Sequence, residues 1–204
     1  MTSEEQNNTS PLYGLVLAGG RSVRMGQDKG TIQWHGVPQR DYMARLLAGF
    51  CERVYISCRE EQTAEMGKEW PLITDAVSGA GPLTGIMSAL MANNNVAWLV
   101  VACDLPLLSP PTLHYLLAAR RPGSIATTYR SPHDSLPEPL ITIWEPAALP
   151  YLHQHIAAGY KCPRKALINN APVVTVIDCP WPQHLLNANT PEDAAEVQRI
   201  MAQE

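Results

Sequence analysis

The sequence predicts an α/β protein whose mostly parallel sheet is covered by helices on both faces. Short apolar runs alternate with helical patterns along the 204 residues. Within each run the apolar residues are continuous rather than alternating, which is typical of strands buried on both faces. A glycine-rich turn follows the first run directly, and α/β sheets bind ligands at the carboxyl ends of their strands. We expect one domain over residues 11–204, preceded by a loose polar tail over residues 1–10.

Seven segments have the composition of strands. The first, LYGLVLA, leads into the glycine-rich turn, and the third, LIT, is short. The run AWLVVAC is the most apolar and is expected to be deeply buried. The predicted strands are 12–18, 54–58, 72–74, 97–103, 124–129, 140–144 and 173–178.

Helix start signals lie between these segments. Pro38 opens one helix, and the glycine loop SGAGP precedes another through LTGIMSALMAN. Ser109 is expected as the N-cap of a helix that begins with Pro110. The series Thr-Pro-Glu-Asp from Thr190 combines an N-cap, a first-turn proline and early acids, which begins the last helix.

The segment PAALPYLHQHIAAG is also predicted to be helical. His153 and His155 lie two positions apart in it. Residues at this spacing point to different sides of a helix, which argues against a shared metal.

Composition and charge exclude several classes of function. The formal net charge is −4, so nothing indicates a general affinity for nucleic acid or an anionic membrane. No apolar run approaches the length of a membrane span. The five cysteines form no C-x-x-C pair, and scattered thiols of this kind fit a reducing cytoplasm. We expect a cytoplasmic protein with no nucleic-acid or membrane partner.

The stretch LAGGRSVRMGQDKG, residues 17–30, is a candidate phosphate-binding loop. Gly19 and Gly20 permit unusual backbone conformations and a close approach of the ligand to the main chain. Arg21, Arg24 and Lys29 supply positive charge, and amide groups in such a loop point at phosphate oxygens. Spacing excludes both G-x-x-x-x-G-K-[ST] and G-x-G-x-x-G. The loop therefore predicts a small anionic ligand, bound by a loop that follows neither of these two common patterns.

Polar residues follow the other predicted strands as well. Asp75 comes directly after the third strand and Asp104 after the fourth. Because the carboxyl ends of parallel strands meet at one edge, we expect both to share a crevice with Gly19 and Gly20.

Four motifs carry a resemblance to a known family. LAGGRSVRMGQDK resembles the nucleotide-binding loop of the nucleotidyltransferases of the sugar-nucleotide and molybdenum-cofactor type. GAGPLTGI (79–86) and CDLPLL (103–108) are similar to motifs of the molybdenum cofactor guanylyltransferases, and NANTPED (187–193) resembles their closing motif. The resemblance extends over residues 12–200. It implies a Rossmann-like nucleotidyltransferase fold that binds GTP and Mg²⁺.

The same resemblance implies the reaction and its partners. GMP would be transferred from GTP to the phosphate of molybdopterin or of molybdenum-molybdopterin, with release of pyrophosphate. Other proteins of molybdenum-cofactor biosynthesis are the candidate protein partners.

Roles for individual residues follow from matching positions in these motifs. Lys29 would hold the phosphates with the help of Arg24, and Asp104 would bind Mg²⁺, so these three are the candidate catalytic residues. Asn187 and Asn189 would close the metal and phosphate region. The residues expected to contact the nucleotide are Leu17, Ala18, Gly19, Gly20, Lys29, Ser57, Asp75 and Asp104, with Asp75 directed to the ribose or guanine and Ser57 at a position where relatives often have asparagine.

The chemistry of the implied reaction agrees with these residue types. A phosphate monoester is largely dianionic at neutral pH, so it needs no strong general base to attack the α-phosphorus. The obstacle is repulsion between anions, which positioning, cationic side chains and a metal overcome. A hard cation prefers oxygen ligands, and the Asp104 carboxylate is of this kind.

Two other functions remain open at this level. One is a cytidylyltransferase acting on molybdopterin or another phosphorylated acceptor, although such relatives tend to have LAAG in place of LAGG. The other is a regulatory nucleotide-binding module without catalysis, against which the retained Lys29 and Asp104 argue. In the Pro-rich segment RSPHDSLPEP (130–139), predicted as an insertion on the rim of the sheet, Leu136–Pro139 replaces the histidine-proline that many relatives carry on the acceptor side.

Overall fold

A seven-stranded sheet forms the centre of the computed structural model, which describes residues 9–19, 29–76, 79 and 81–203. The strand order is β3-β2-β1-β4-β6-β5-β7. Six strands run in one direction and β6 runs in the other, so the predicted mostly parallel sheet is confirmed. The strands are β1 (Leu12–Leu17), β2 (Arg53–Cys58), β3 (Leu72–Thr74), β4 (Ala97–Ala102), β5 (Ala126–Arg130), β6 (Pro137–Trp144) and β7 (Val174–Ile177).

Helices cover both faces of this sheet. The helices α1 and α3 pack on one face, and α2, α4 and α5 pack on the other. The last helix, α6, packs through Val197 against Leu107 and Ala188, just beyond the carboxyl end of β4. The helices are α1 (Gln39–Ala48), α2 (Pro82–Ala92), α3 (Pro110–Ala118), α4 (Ala148–Ala157), α5 (Pro163–Asn169) and α6 (Pro191–Met201). Among the described residues, no helix has the length and apolarity that a membrane crossing requires.

The central strand β4 explains why the apolar runs are continuous. Leu99 and Val101 belong to the core on the α1 side, whereas Trp98 and Val100 belong to the core on the α2 side. Successive side chains of a strand point to opposite faces, so a strand covered on both faces must be apolar at every position.

The predicted helix starts are largely correct. Thr190 caps α6 with a reciprocal hydrogen-bond pair to Asp193, as the Thr-Pro-Glu-Asp series predicted. Ser109 precedes α3 as expected, but its side chain makes no capping hydrogen bond. Its hydroxyl group lies 3.0 Å from Nδ1 of His184. In α4, His153 is exposed whereas His155 is buried, with Nε2 donating to the carbonyl of Cys162 (3.1 Å), so the two rings lie on different sides.

Two features differ from the sequence prediction. The segment 130–139 is not an insertion on the rim, because Arg130 ends β5 and Pro137 begins β6. Only the residues between them form the loop of an antiparallel hairpin. The short helix α5 was not predicted, since its seven residues are too few to show a helical period.

A buried ion pair fixes the edge of the sheet opposite the carboxyl ends. Arg120 donates to both carboxylate oxygens of Glu145, at 2.7 and 2.9 Å. It also donates to the carbonyl of Ser10 at 2.9 Å, which links the start of β1 to the ends of α3 and β6. The two side chains are only 9% and 1% exposed.

We expect the variant Arg120→Met to lower the free energy of unfolding by about 3 kcal/mol, because it leaves the Glu145 carboxylate buried without its partner. Arg45→Met is the matched control. Arg45 donates to both oxygens of Glu69, but both side chains are 53% exposed, so its loss should cost clearly less stability than the loss of Arg120. Urea unfolding of the two variants measures the difference, and equal losses would contradict the structural role of Arg120.

Candidate active site

The Asp104 carboxylate is the centre of a polar cluster at the carboxyl end of β4. Its Oδ2 accepts a hydrogen bond from Lys29 Nζ (3.2 Å), and its Oδ1 accepts one from Asn187 Nδ2 (3.0 Å). Lys29 Nζ also donates to Oδ1 of Asn189. We name these four residues the Asp104 cluster. The structure therefore brings together four residues that the motifs singled out.

Backbone contacts hold the segment of Asn187 and Asn189 beside Asp104. The amide of Ala188 donates to the backbone carbonyl of Asp104 at 2.9 Å. The amides of Asn189 and Thr190 both donate to one oxygen of Asp193, each at 2.9 Å. The cap of α6 thus fixes the loop from which the two asparagines reach the cluster.

The loop that follows Lys29 is fixed to the segment that contains Asp104. Lys29 begins a short 3-10 turn, Lys29–Thr31, that leads towards α1. Nε2 of His35, in the following loop, donates to the carbonyl of Pro106 at 2.9 Å, and the His35 ring stacks on Tyr42 of α1. These contacts fix the loop after Lys29 to the CDLPLL motif that contains Asp104.

The end of β1 lies directly beside this cluster in the sheet. β1 and β4 are neighbours, with Leu17 opposite Ala102, and the amide of Ala18 donates to the carbonyl of Ser57 at 3.0 Å. Gly19 does not adopt a left-handed conformation, and a Cβ there would meet Cys58 and Arg59 at an ordinary 3.7 Å. Gly19 therefore does not use the unusual backbone conformations that glycine permits, and its contact with a nucleotide stays a prediction. Gly20, Arg21 and Arg24 lie outside the described residues.

The GAGPLTGI motif requires its glycines for two different reasons. Gly79 and Gly81 have φ angles of 82° and 55°, in the left-handed region that favours glycine. Gly85 is needed for packing, because a Cβ there would lie 2.4 Å from Ser57 Oγ and 2.7 Å from Leu17 Cδ2. The third glycine thus lets α2 approach the ends of β1 and β2.

Ser57 lies near the carboxyl end of β2 and Asp75 follows β3, both along the same edge of the sheet as Asp104. Ser57 is only 3% exposed, and its hydroxyl group lies against Gly85. Asp75 follows β3, three strand spacings or about 14 Å from β4. Partial burial raises the pKa of the Asp75 carboxyl, against the opposing charge of Arg59. The contact of either residue with a nucleotide stays a prediction.

A cavity of about 640 Å³ opens beside the Asp104 cluster. This volume lies within the usual range of small-molecule sites. Its walls come from residues before and at the start of α2, the start of β6, the α4–α5 connection and three members of the Asp104 cluster. The lining residues are Gly79, Gly81, Pro82, Asp104, Glu138, Pro139, Leu140, Lys161, Cys162, Pro163, Arg164, Asn187 and Asn189.

A second carboxylate, Glu138, faces this cavity. It is 7% exposed, and its Oε2 accepts from Arg164 Nη2 at 2.9 Å. Arg164 also donates to Asp134 in the hairpin loop at 2.7 Å, so it joins α5 to the β5–β6 hairpin. Burial raises the pKa of Glu138, and the charges of Asp104 and Asp134 raise it further, while Arg164 opposes the shift.

The sequence reasoning missed Lys161, Arg164 and the placement of Glu138. The run KCPRK, residues 161–165, was the available signal, since it combines three basic residues with a proline that begins a helix. Its relation to Asp104 depends on how α5 packs beside β6, which no local pattern shows.

Known proteins are similar to this chain over most of its length. A molybdenum cofactor biosynthesis bifunctional protein of Synechocystis sp. is 36% identical over 92% of this chain. The chain spans about half, 54%, of the length of that relative. A molybdenum cofactor guanylyltransferase of Pseudomonas putida is 34% identical over 87% of this chain and 93% of the relative.

A solved structure has the same fold. It is that of molybdopterin-guanine dinucleotide biosynthesis protein A from Archaeoglobus fulgidus, with a TM-score of 0.78 and 24% identity. The match covers 94% of this chain and 100% of that one. The predicted nucleotidyltransferase fold is thereby confirmed.

The doubly covered sheet is that of a nucleotidyltransferase fold, and a lysine, a carboxylate and two amide side chains meet at its carboxyl edge. The family model of the MobA-like NTP transferase domain matches residues 14–175. The chain belongs to this family and, by its identity to complete relatives, to the molybdenum cofactor guanylyltransferases within it. The family predicted from the four motifs is confirmed.

The cap of α6 gives a pH-dependent prediction. Burial by itself would raise the pKa of Asp193, but the hydrogen bonds from Asn189 and Thr190 outweigh it and hold the pKa below the ordinary 3.8. The ionised carboxylate therefore contributes stability that is fully present above pH 3.8 and is lost as the pH falls through the lower folded value. We expect Asp193→Asn to cost about 1 kcal/mol at neutral pH, and this difference from the wild type to shrink in acid.

Urea unfolding in neutral and in acidic buffer measures this difference. Glu192→Gln is the control, because it removes the same charge from the exposed neighbouring position of the same helical turn. If both variants lose the same stability, the effect belongs to the helix dipole and not to the cap of the Asn189 loop.

Proposed function

We propose that this chain transfers GMP from GTP to the phosphate of molybdopterin, or of molybdenum-molybdopterin, and releases pyrophosphate. The observation that carries the proposal is the Asp104 cluster, placed between the end of β1 and the cavity in a chain of this family. A nucleotide at the end of β1 and an acceptor in the cavity would meet at Asp104.

Lys29 supports the nucleotide side of the proposal. Its side chain is 18% exposed and lies at the carboxyl edge of the sheet, beside the end of β1. A lysine in this place supplies positive charge to a triphosphate, and charge-assisted hydrogen bonds are stronger than neutral ones. Leu17, Ala18 and Gly19 then offer backbone groups to the base, as the family resemblance implies.

The residues of the cluster fit a divalent cation such as Mg²⁺. The Asp104 carboxylate and the amide oxygens of Asn187 and Asn189 are hard oxygen donors, and Mg²⁺ is commonly held by one or two carboxylates together with substrate phosphates. When bound, the cation would neutralise charge that develops on the phosphates. We propose that Asp104 is its ligand from the protein and that the asparagines orient this carboxylate and Lys29.

The cavity suits an acceptor that carries both a phosphate and hydrogen-bond donors. Lys161 and Arg164 supply positive charge, and the Glu138 carboxylate accepts hydrogen bonds. Among the described residues Arg164 is the one hydrogen-bond partner of the Glu138 carboxylate, so this carboxylate keeps capacity for a ligand. A pterin ring offers N–H donors of the kind that a carboxylate binds.

The proposed transfer exchanges one bond at the α-phosphorus for another. A phosphate oxygen of the acceptor attacks the α-phosphorus, the new P–O bond forms, and the bond to the leaving pyrophosphate breaks. The dianionic acceptor brings its own electron pair, so no side chain has to remove a proton. The protein positions two anions and offsets their repulsion with Lys29, Lys161 and Arg164.

The family of this chain also suggests protein partners and a cellular location. The bifunctional relative from Synechocystis sp. joins a similar segment to a further one in a single chain. We propose that other proteins of molybdenum-cofactor biosynthesis bind this chain, and that it acts in the cytoplasm.

Base selection tests the proposed function. We expect GTP to bind at least about tenfold more tightly than CTP or ATP, which is about 1.4 kcal/mol. A site with fixed hydrogen-bonding groups leaves them unpaired when the wrong base binds. Gly19→Ala should reduce this preference more than it weakens the shared triphosphate contacts, and its ordinary 3.7 Å contacts predict that the variant folds. Competition binding of the three nucleotides at fixed Mg²⁺ measures both effects.

Other results of these binding and turnover measurements would support one of the two alternative functions. CTP binding as tight as GTP binding would replace the proposal with the cytidylyltransferase. Selective GTP binding without pyrophosphate release in the presence of molybdopterin would indicate the regulatory module.

The acceptor side has its own prediction. Glu138→Gln keeps the size of the side chain but removes its charge, so we expect the KM for molybdopterin to rise about tenfold, as loss of a charged hydrogen bond implies. The affinity for GTP should not change. Glu196→Gln, which removes a charge on the exposed side of α6, is the control. An unchanged acceptor KM in Glu138→Gln would remove Glu138 from the acceptor site.

A further inference from the structure

The Asp104 carboxylate already has a donor on each oxygen. Lys29 Nζ lies 3.2 Å from Oδ2, and Asn187 Nδ2 lies 3.0 Å from Oδ1. The Lys29 and Asp104 side chains are 18% and 15% exposed, so water screens their interaction only in part. Lys29 is thus ion-paired with the same carboxylate that is proposed as the ligand of the divalent cation.

The Lys29 ammonium group and a divalent cation cannot both bind the Asp104 carboxylate without repelling each other. The pair of Lys29 and Asp104 has no net charge, so it attracts a divalent ion much less than the carboxylate alone would. An ion bound to Asp104 would also lie close to the ammonium group in a site of reduced solvent screening. An anion between the two cations removes this conflict, and a polyphosphate is such an anion.

We propose that Lys29 is an electrostatic interlock that keeps a divalent cation from Asp104 until a nucleotide polyphosphate draws the ammonium group away. The inference rests on the proposed function, because it takes Asp104 as the metal ligand and Lys29 as the phosphate ligand. It adds that these two roles are linked through their mutual ion pair. Nucleotide and metal then bind with positive coupling, and the metal by itself binds weakly.

Asn189 takes part in the same interlock. Its Oδ1 accepts from Lys29 Nζ, so the ammonium group is held by both Asp104 and Asn189. The α6 cap holds the backbone of Asn189 in turn. Departure of Lys29 would therefore release two oxygen-bearing side chains together, and both would be available to the cation.

Binding of Mn²⁺ to the protein without nucleotide tests the interlock. The signal of free Mn²⁺ in electron paramagnetic resonance gives the affinity directly, and no turnover is needed. We expect Lys29→Met to bind Mn²⁺ more tightly than the wild type by about fivefold or more, the usual lower range of coupling between sites. Combining Lys29→Met with Asp104→Asn should abolish the gain, which places the ion on Asp104.

Lys161→Met is the matched control, because it removes the same charge from the cavity beside the Asp104 cluster, at a residue outside that cluster. Its effect should be clearly smaller than that of Lys29→Met. Lys29→Gln and a urea unfolding curve for each variant guard against a folding defect. Equal or weaker Mn²⁺ binding by Lys29→Met and Lys29→Gln, absence of detectable binding, or an equal gain in Lys161→Met would overturn the proposal. The base-selection experiment can fail separately, since no nucleotide is present in this measurement.

Discussion

The ion pair between Lys29 and Asp104 is the interaction on which the arrangement of the site depends. It joins the segment after the LAGG loop to the end of the central strand, and Asn187 and Asn189 join the loop before α6 to both. These residues are as far as 160 positions apart in the sequence. A cluster of charges that is only partly exposed holds them together because each charged group has a partner.

The fold supplies the rigidity that this cluster requires. Every residue of β4 is buried, so Asp104 follows a strand that is packed on both faces. The capped start of α6 fixes the asparagines, and the stacking of His35 on Tyr42 fixes the segment after Lys29. The carboxylate and the asparagines that we propose to act on the phosphates are therefore held in place before a ligand binds, and positioning of this kind lowers the barrier between two repelling anions.

Strands and helix caps could be predicted from the sequence, because they depend on the pattern of neighbouring residues. Continuous apolar runs located all seven strands, and the series from Thr190 located the cap of α6. Asp104 could be found because it directly follows the predicted strand 97–103. Glu138 and Arg164 could not be placed, since their meeting depends on an antiparallel hairpin and on a helix too short to show a period. The burial of Ser57 could not be predicted from local pattern either, because it follows from the approach of α2 at Gly85.

Transfer of label from GTP tests the central claim most directly. The protein is incubated with Mg²⁺, molybdopterin and GTP labelled at the α-phosphate. The account predicts that the label enters a molybdopterin dinucleotide while unlabelled pyrophosphate is released, and that Asp104→Asn lowers this rate by about a hundredfold or more. Transfer of label that is equally fast from CTP, or that proceeds at an unchanged rate in folded Asp104→Asn protein, would contradict it.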